Sequence, residues 1–282
     1  MVQLIECPRD AMQGWPHFID TAQKTAYINQ LLQVGFDTID FGSFVSPKAI
    51  PQMADTKAVL EGLHWQQYNT KLLAIVANVR GAEEAVQHGA IRYIGFPFSI
   101  SPTFQLRNTN STIEQSVATV QSIQELCVKH GKTLVLYLSM GFGNPYGDAY
   151  DETILLHWAQ QMVQLDIRII SLSDTVGVAT PQQVTTALQH LLPAYTQVQF
   201  GVHLHAAPNN RLPKLKAAWE AGCRRFDGAI NGIGGCPMAQ DELVGNMDTL
   251  DMITYFDSIQ ALPPVNRQAL AASTAMAAQI FV

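Results

Sequence analysis

Along the 282-residue chain a short apolar run of four to eight residues is followed by a longer segment of helical period, and the alternation recurs eight times. The runs are Val2 to Glu6, Phe36 to Phe41, Leu72 to Ala77, Arg92 to Pro97, Thr133 to Leu138, Arg168 to Leu172, Gln199 to Leu204 and Arg225 to Ile230. Rich in Val and Ile and flanked by Gly, Asp or Pro, they suit strands buried on both faces of a parallel sheet. Between them, Thr112 to Lys129 carries apolar residues at three- and four-residue intervals. Asp151 to Leu165 repeats that stripe behind an N-capping Asp, and Pro181 to Leu192 opens with Pro in its first turn. Gly35, Gly89, Gly131 and Gly222 fall where helices should end. Eight β-α units of about 30 residues each predict an α/β protein of the (β/α)8 TIM-barrel class. Residues 1–282 then form a single catalytic domain with a C-terminal helical extension. The competing open, doubly wound sheet would carry GxGxxG after its first strand, where this chain has Cys7-Pro8-Arg9-Asp10.

Composition narrows the partners. With 48% hydrophobic and 14% charged residues the chain is too apolar for disorder. A net charge of −6, with 17 Lys+Arg and no basic block, predicts no nucleic-acid partner. No apolar run reaches the roughly 18 residues of a membrane span. Cys7, Cys127, Cys223 and Cys236 lack CxxC spacing and read as thiols of a reducing compartment. The N-terminus shows no leader pattern, so a cytoplasmic location is expected. The near-uncharged tail from Gln268 to Val282 is expected to dock on the barrel or on a second copy.

Active-site groups of a barrel come from the carboxyl ends of its strands. The first strand delivers Arg9, Asp10 and Gln13; the second Asp40; the third Asn78; the sixth Asp174 and Thr175; the seventh His203 and His205. A glycine-rich stretch, NGIGGCPMAQDELVGN, follows the eighth. His203 and His205, two apart on a strand, point to one side, and with Asp10 they form a metal clip. Arg9 beside Asp10 reads either as an ion pair on the barrel rim or as a stabiliser of an oxyanion or enolate. Cys236 reads either as an inert loop thiol or as an acid/base group carried on a mobile loop.

Six segments in order, CPRDAMQG, FGSFVSPKAIPQMAD, MGFGNPYG, SLSDTVGVATP, VHLH and GIGGCPMA, resemble the 3-hydroxy-3-methylglutaryl-CoA lyase family. The resemblance implies a metal-dependent barrel that cleaves this thioester, or a related 3-hydroxyacyl-CoA, to acetyl-CoA and acetoacetate. It implies Asp10, His203, His205 and Asn246 as ligands of Mg2+ or Mn2+. It further implies Arg9 as the catalytic arginine, Cys236 as the thiol of the flexible loop and Asp40 as the acidic residue. Asp10 and His203 are expected in catalysis, and Gln13, Asp40, Asn78, Asp174 and Thr175 around the substrate. Lys48, Arg80 and Arg107 are candidates for the CoA phosphates, and a homo-oligomer, dimer or higher, is expected. The chain also departs from the family. Ala206 and Ala207 stand where Asp-Thr usually follows VHLH, which predicts a loss of hydrogen bonding around the histidines. Asp40 replaces a Glu, Asn231 a small residue, and Glu6 is displaced by one residue, which turns it to the other strand face. The rival readings are a Claisen-type synthase, or a lyase of another 3-hydroxyacyl-CoA or 2-oxo acid, and a non-catalytic barrel that binds metal or acyl-CoA.

Overall fold

A computed structural model describes residues 1–235 and 244–282. Strands β1 (Gln3–Glu6), β2 (Thr38–Phe44), β3 (Lys71–Val76), β4 (Ile91–Ser99), β5 (Thr133–Ser139), β6 (Ile169–Asp174), β7 (Gln199–Leu204) and β8 (Arg225–Gly228) close in sequence order into a barrel. Each pairs in parallel with the next, and β1 also pairs with β8. The helices are α1 (Pro8–Gln13), α2 (Thr21–Leu32), α3 (Thr56–Glu61), α4 (Val79–Ala85), α5 (Pro102–Thr109), α6 (Ile113–Lys129), α7 (Glu152–Gln164), α8 (Pro181–Ala194), α9 (Pro208–Glu220), α10 (Thr249–Ser258) and α11 (Arg267–Ile280). This is the expected (β/α)8 TIM barrel.

Local chemistry sets the helix starts. Thr112 and Thr180 close capping boxes with Gln115 and Gln183, and Asp151 accepts from Ile154 N. Gly35, Gly131 and Gly222 take the expected positive φ, whereas Gly89 lies beyond α4 without it. The main departure is β2, which runs on to Phe44 and whose register shifts between Asp40 and Gly42. Asp40 pairs with Leu73 and Ser43 with Ile75, and Leu73 and Ile75 both belong to the apolar cluster inside the barrel. The extra residue, Phe41, thus lets Asp40 and Ser43, an odd distance apart, face the same interior.

The larger core lies between barrel and helices; the interior holds Leu73, Ile75, Val135, Tyr137 and Ile169. Arg225 crosses that interior beside Gly201, where a Cβ would lie 2.9 Å from its side chain. The tail docks on its own barrel: α11 buries Leu270 and Ala277, and the Phe281 ring packs edge-on against Trp15, centroids 5.2 Å apart. Among the described residues no helix is long and apolar enough to cross a membrane.

Glu6 faces outward from the barrel wall, as its shifted position predicts. It is 1% exposed and accepts from Ile230 N at 2.9 Å and Thr249 Oγ1 at 2.6 Å. Burial pushes its carboxyl up from 4.5 to about 8, against the two hydrogen bonds. The unfolded chain loses this proton near pH 4.5 and the folded chain near 8, so between those values folding binds one more proton. Stability should therefore fall by about 1.4 kcal/mol per pH unit across that window and level off above it. In Glu6→Gln, which keeps the shape and one acceptor, urea unfolding from pH 5 to 9 should lose this slope. An unchanged slope would assign it elsewhere.

Candidate active site

The carboxyl ends of the strands surround a cavity. Arg9, Asp10, Gln13, His203 and His205 form its polar side. Val45, Ile50, Ile75, Ala77, Pro97 and Phe104 form an apolar wall, with Ser43, Ser139, Ser173, Thr175, Asn108 and Tyr137 as further polar lining.

Pro8 at the first position of α1 starts the helix immediately after β1, so Arg9 and Asp10 emerge at the barrel mouth. Arg9 is a two-sided clamp. Its Nε and Nη2 donate to Asp40 Oδ2 at 3.0 and 2.5 Å, and its Nη1 to Asp10 Oδ1 at 2.9 Å. Burial works against its charge, but Asp40 and Asp10 outweigh it and raise its pKa further. Asp40, despite its shorter reach, therefore engages the guanidinium with one oxygen, while burial lifts its carboxyl to about 6.

Burial would also raise Asp10, yet Arg9, the two imidazoles and Asn246 hold it down to about 2. Its Oδ1 accepts from Gln13 Nε2 at 2.9 Å and its Oδ2 from Asn246 Nδ2 at 2.7 Å. Asn246 reaches this position because residues 245–247 run alongside the end of β7. Ala206 N donates to Gly245 O, Met247 N donates to Leu204 O, and Asn246 bridges His205. Gly234, with φ +106, passes so close that a Cβ there would lie 2.5 Å from Asn246 Nδ2.

The imidazoles of His203 and His205 meet Nε2 to Nε2 at 3.2 Å. The ligand atoms of Asp10, His203 and His205 all lie within 4.8 Å of one another. Burial, then His203, depresses His205 to about 4, so at neutral pH it is an uncharged donor. For His203 burial also favours the neutral form, but Asp227, 3.4 Å from Nδ1, reverses this and raises it. Buried Asn246 Oδ1 has no hydrogen-bond partner among the described residues. A carboxylate and two imidazole nitrogens converging at one point, with the Asn246 amide beside the carboxylate and its oxygen unpartnered, fit an oxygen- and nitrogen-binding divalent cation.

Other expected residues take different work. Asn78 is exposed and caps α4 through Gly81 N at 2.9 Å; its neighbour Ala77 reaches the cavity instead. Asp174 is turned away from the cavity into a buried pair with Lys214 Nζ at 2.7 Å, burial still holding its pKa above the usual value. Thr175 lines the cavity while its Oγ1 accepts from Met140 N. Cys236 lies outside the described residues. The expected loss of support around VHLH is corrected by Lys214, 1% exposed, whose Nζ also donates to Gly177 O and His205 O, each at 2.9 Å. A lysine from α9 thus ties the ends of β6 and β7 together where Ala206 and Ala207 carry no polar group.

The sequence reading missed Asp227, Tyr137 and Lys214. Asp227 was signalled by a carboxylate in an apolar strand, two residues from Arg225 and so on the same face. Tyr137 sits at the interior parity of β5, its ring edge-on to His203 with centroids 5.7 Å apart. Nothing local marks Lys214.

Residues 2–276 match the HMGL-like family model. The hydroxymethylglutaryl-CoA lyase YngG of Bacillus subtilis is 32% identical over 89% of this chain and 83% of its own. An (R)-citramalyl-CoA lyase of Chloroflexus aurantiacus is 29% identical over 95% of this chain and 86% of its own. An HMG-CoA lyase of Acinetobacter baumannii, solved in complex with coenzyme A and 3-methylmalate, superposes with a TM-score of 0.92 at 31% identity. It covers 100% of this chain and 91% of that one. With the barrel and the clustered mouth residues in place, the chain belongs to the HMGL-like family and is a lyase.

Proposed function

We propose that the protein is a divalent-cation-dependent carbon–carbon lyase that cleaves 3-hydroxy-3-methylglutaryl-CoA, or a closely related 3-hydroxyacyl-CoA, to acetyl-CoA and acetoacetate or its analogue. The observation that carries this reading is Arg9 set beside Asp10, which itself meets His203 and His205 at the mouth of a half-apolar cavity. Asp10, His203, His205 and Asn246 would hold the cation. Bound there, Mg2+ or Mn2+ supplies a Lewis acid that lowers the pKa of a tertiary hydroxyl.

The chain's own residues do the rest. The hydroxyl proton passes to the Asp10–histidine cluster, and the carbon–carbon bond opens. Negative charge then moves to the thioester oxygen, where the guanidinium of Arg9 stabilises the enolate. Gln13, already on Asp10, orients that carboxylate. The wall of Val45, Ile50, Ile75 and Phe104 excludes water from the carbanion. Cys236, which follows Gly235 in sequence, would protonate or shield the departing carbon. Lys48 and Arg107, exposed and next in sequence to the lining residues Ala49 and Asn108 respectively, and exposed Arg80, three residues after Ala77, would be the candidates for the CoA phosphates. The coenzyme A complex of the Acinetobacter relative supports an acyl-CoA substrate. The unpaired Cys7, Cys127 and Cys223 and the rat relative named cytoplasmic support a reducing, cytoplasmic setting, and a homo-oligomer is part of the same proposal.

Acetyl-CoA release should be assayed with 3-hydroxy-3-methylglutaryl-CoA and citramalyl-CoA, the latter chosen for the Chloroflexus relative. The expected result is activity on the first that disappears on chelation and returns with Mg2+ or Mn2+. Full activity after chelation refutes the mechanism, and faster cleavage of citramalyl-CoA reassigns the substrate.

A further inference from the structure

His203 presents two nitrogens to two different sets of ligands. Its Nε2 faces His205, while its Nδ1 faces Asp227 at 3.4 Å. Cys7, at the end of β1, completes the second set: the ligand atoms of Cys7, His203 and Asp227 all lie within 4.8 Å of one another. We propose that Cys7 Sγ, His203 Nδ1 and an Asp227 carboxylate oxygen form a second cation site, selective for thiophilic divalent ions such as Zn2+ or Cd2+.

The geometry fits such an ion. Bonds of about 2.0–2.1 Å to nitrogen and oxygen put those atoms about 3.3 Å apart on a tetrahedral edge, close to the observed 3.4 Å. Two unpartnered atoms point to a missing ligand: Asp227 Oδ1 and Tyr137 Oη are buried without a hydrogen-bond partner among the described residues. The hydrogen bond from the Cys7 thiol to Ile5 O is long, 3.9 Å. An ion reaches the site through the cavity, which His203 and Tyr137 both line. On binding, the thiol proton is released to solvent as the sulfur–metal bond forms. Thiolate selects against Mg2+ and for softer ions.

The two sites compete. Two dications together with Arg9 and Arg225 exceed the negative charge that Asp10, Asp40, Asp227 and a Cys7 thiolate supply, and one imidazole would be shared between them. A thiophilic ion therefore displaces the outer cation. The inhibition this implies rests on the proposed lyase reading; the existence of the site does not.

The test uses the full chain, stripped of metal. Cd2+ should give a thiolate-to-metal charge-transfer absorption with one equivalent bound, and should weaken Mn2+ binding followed by paramagnetic resonance. In Cys7→Ser the absorption should vanish, and in Asp227→Asn the Cd2+ affinity should fall by about tenfold or more. Cys223→Ser and Cys236→Ser should keep both. Absorption that survives Cys7→Ser, or that is lost with Cys236→Ser, overturns the proposal. Mn2+ that fails to bind while the Cys7 signal holds instead refutes the outer cation and the lyase mechanism alone.

Discussion

Replacing Arg9 by Met should lower turnover by roughly two to four orders of magnitude while leaving Mn2+ affinity within a few-fold of the parent. Arg9 contacts Asp10 through a single Nη1 hydrogen bond, and Gln13 and Asn246 still hold that carboxylate when the guanidinium is gone. The cation donors therefore stay assembled. What disappears is the positive charge next to them, where the enolate oxygen develops. Met keeps the length and packing of the aliphatic stem. Asp40 would lose both hydrogen bonds from Arg9. Its carboxyl already sits near 6 and can take up a proton, which limits the cost of leaving it unpaired. Single-turnover cleavage and Mn2+ titration on the same preparation separate the readings. Equal losses in both would make Arg9 a rim ion pair and not the catalytic cation.

The eight strands could be read from the sequence because most are short runs rich in apolar residues that alternate with segments of helical period, as strands buried on both faces require. The His203–His205 pair and Asp10 were legible for the same reason: period two and strand-end position together fix direction. Asn246 was reached only through the resemblance. Its place depends on residues 245–247 turning back along β7, a pairing with no local signature. Asn78 and Asp174 show the opposite failure. Each stands at or just past the carboxyl end of a strand, but Asn78 is taken by the nearest unsatisfied helix N–H and Asp174 by Lys214, forty residues away in sequence. The bulge at Phe41 has no signature in the sequence, and one added residue reverses which positions beyond Asp40 face inward.

Lys214 is the clearest long-range dependence, and Lys214→Met should destabilise the protein by about 3–5 kcal/mol, since removing one member of a buried pair strands the other. Asp174, 1% exposed, would keep only backbone donors such as Ala179 N, so its proton affinity should rise further. The loss should then grow with pH, because the folded state must either hold a proton that the unfolded chain releases or bury a bare carboxylate. The lysine also holds the carbonyl of His205, so cation affinity should drop by about tenfold or more even where the protein is fully folded. Lys214→Met with Asp174→Asn separates these effects. Removing both charges should restore much of the stability, because the stranded carboxylate is gone, yet the His205 carbonyl remains unheld and Mn2+ affinity should stay low. Urea unfolding and Mn2+ titration on the single and double variants measure the two quantities independently. If affinity recovers together with stability, the pair merely fills space between β6, β7 and α9; if it does not, the lysine from α9 supplies the orientation that Ala206 and Ala207 cannot.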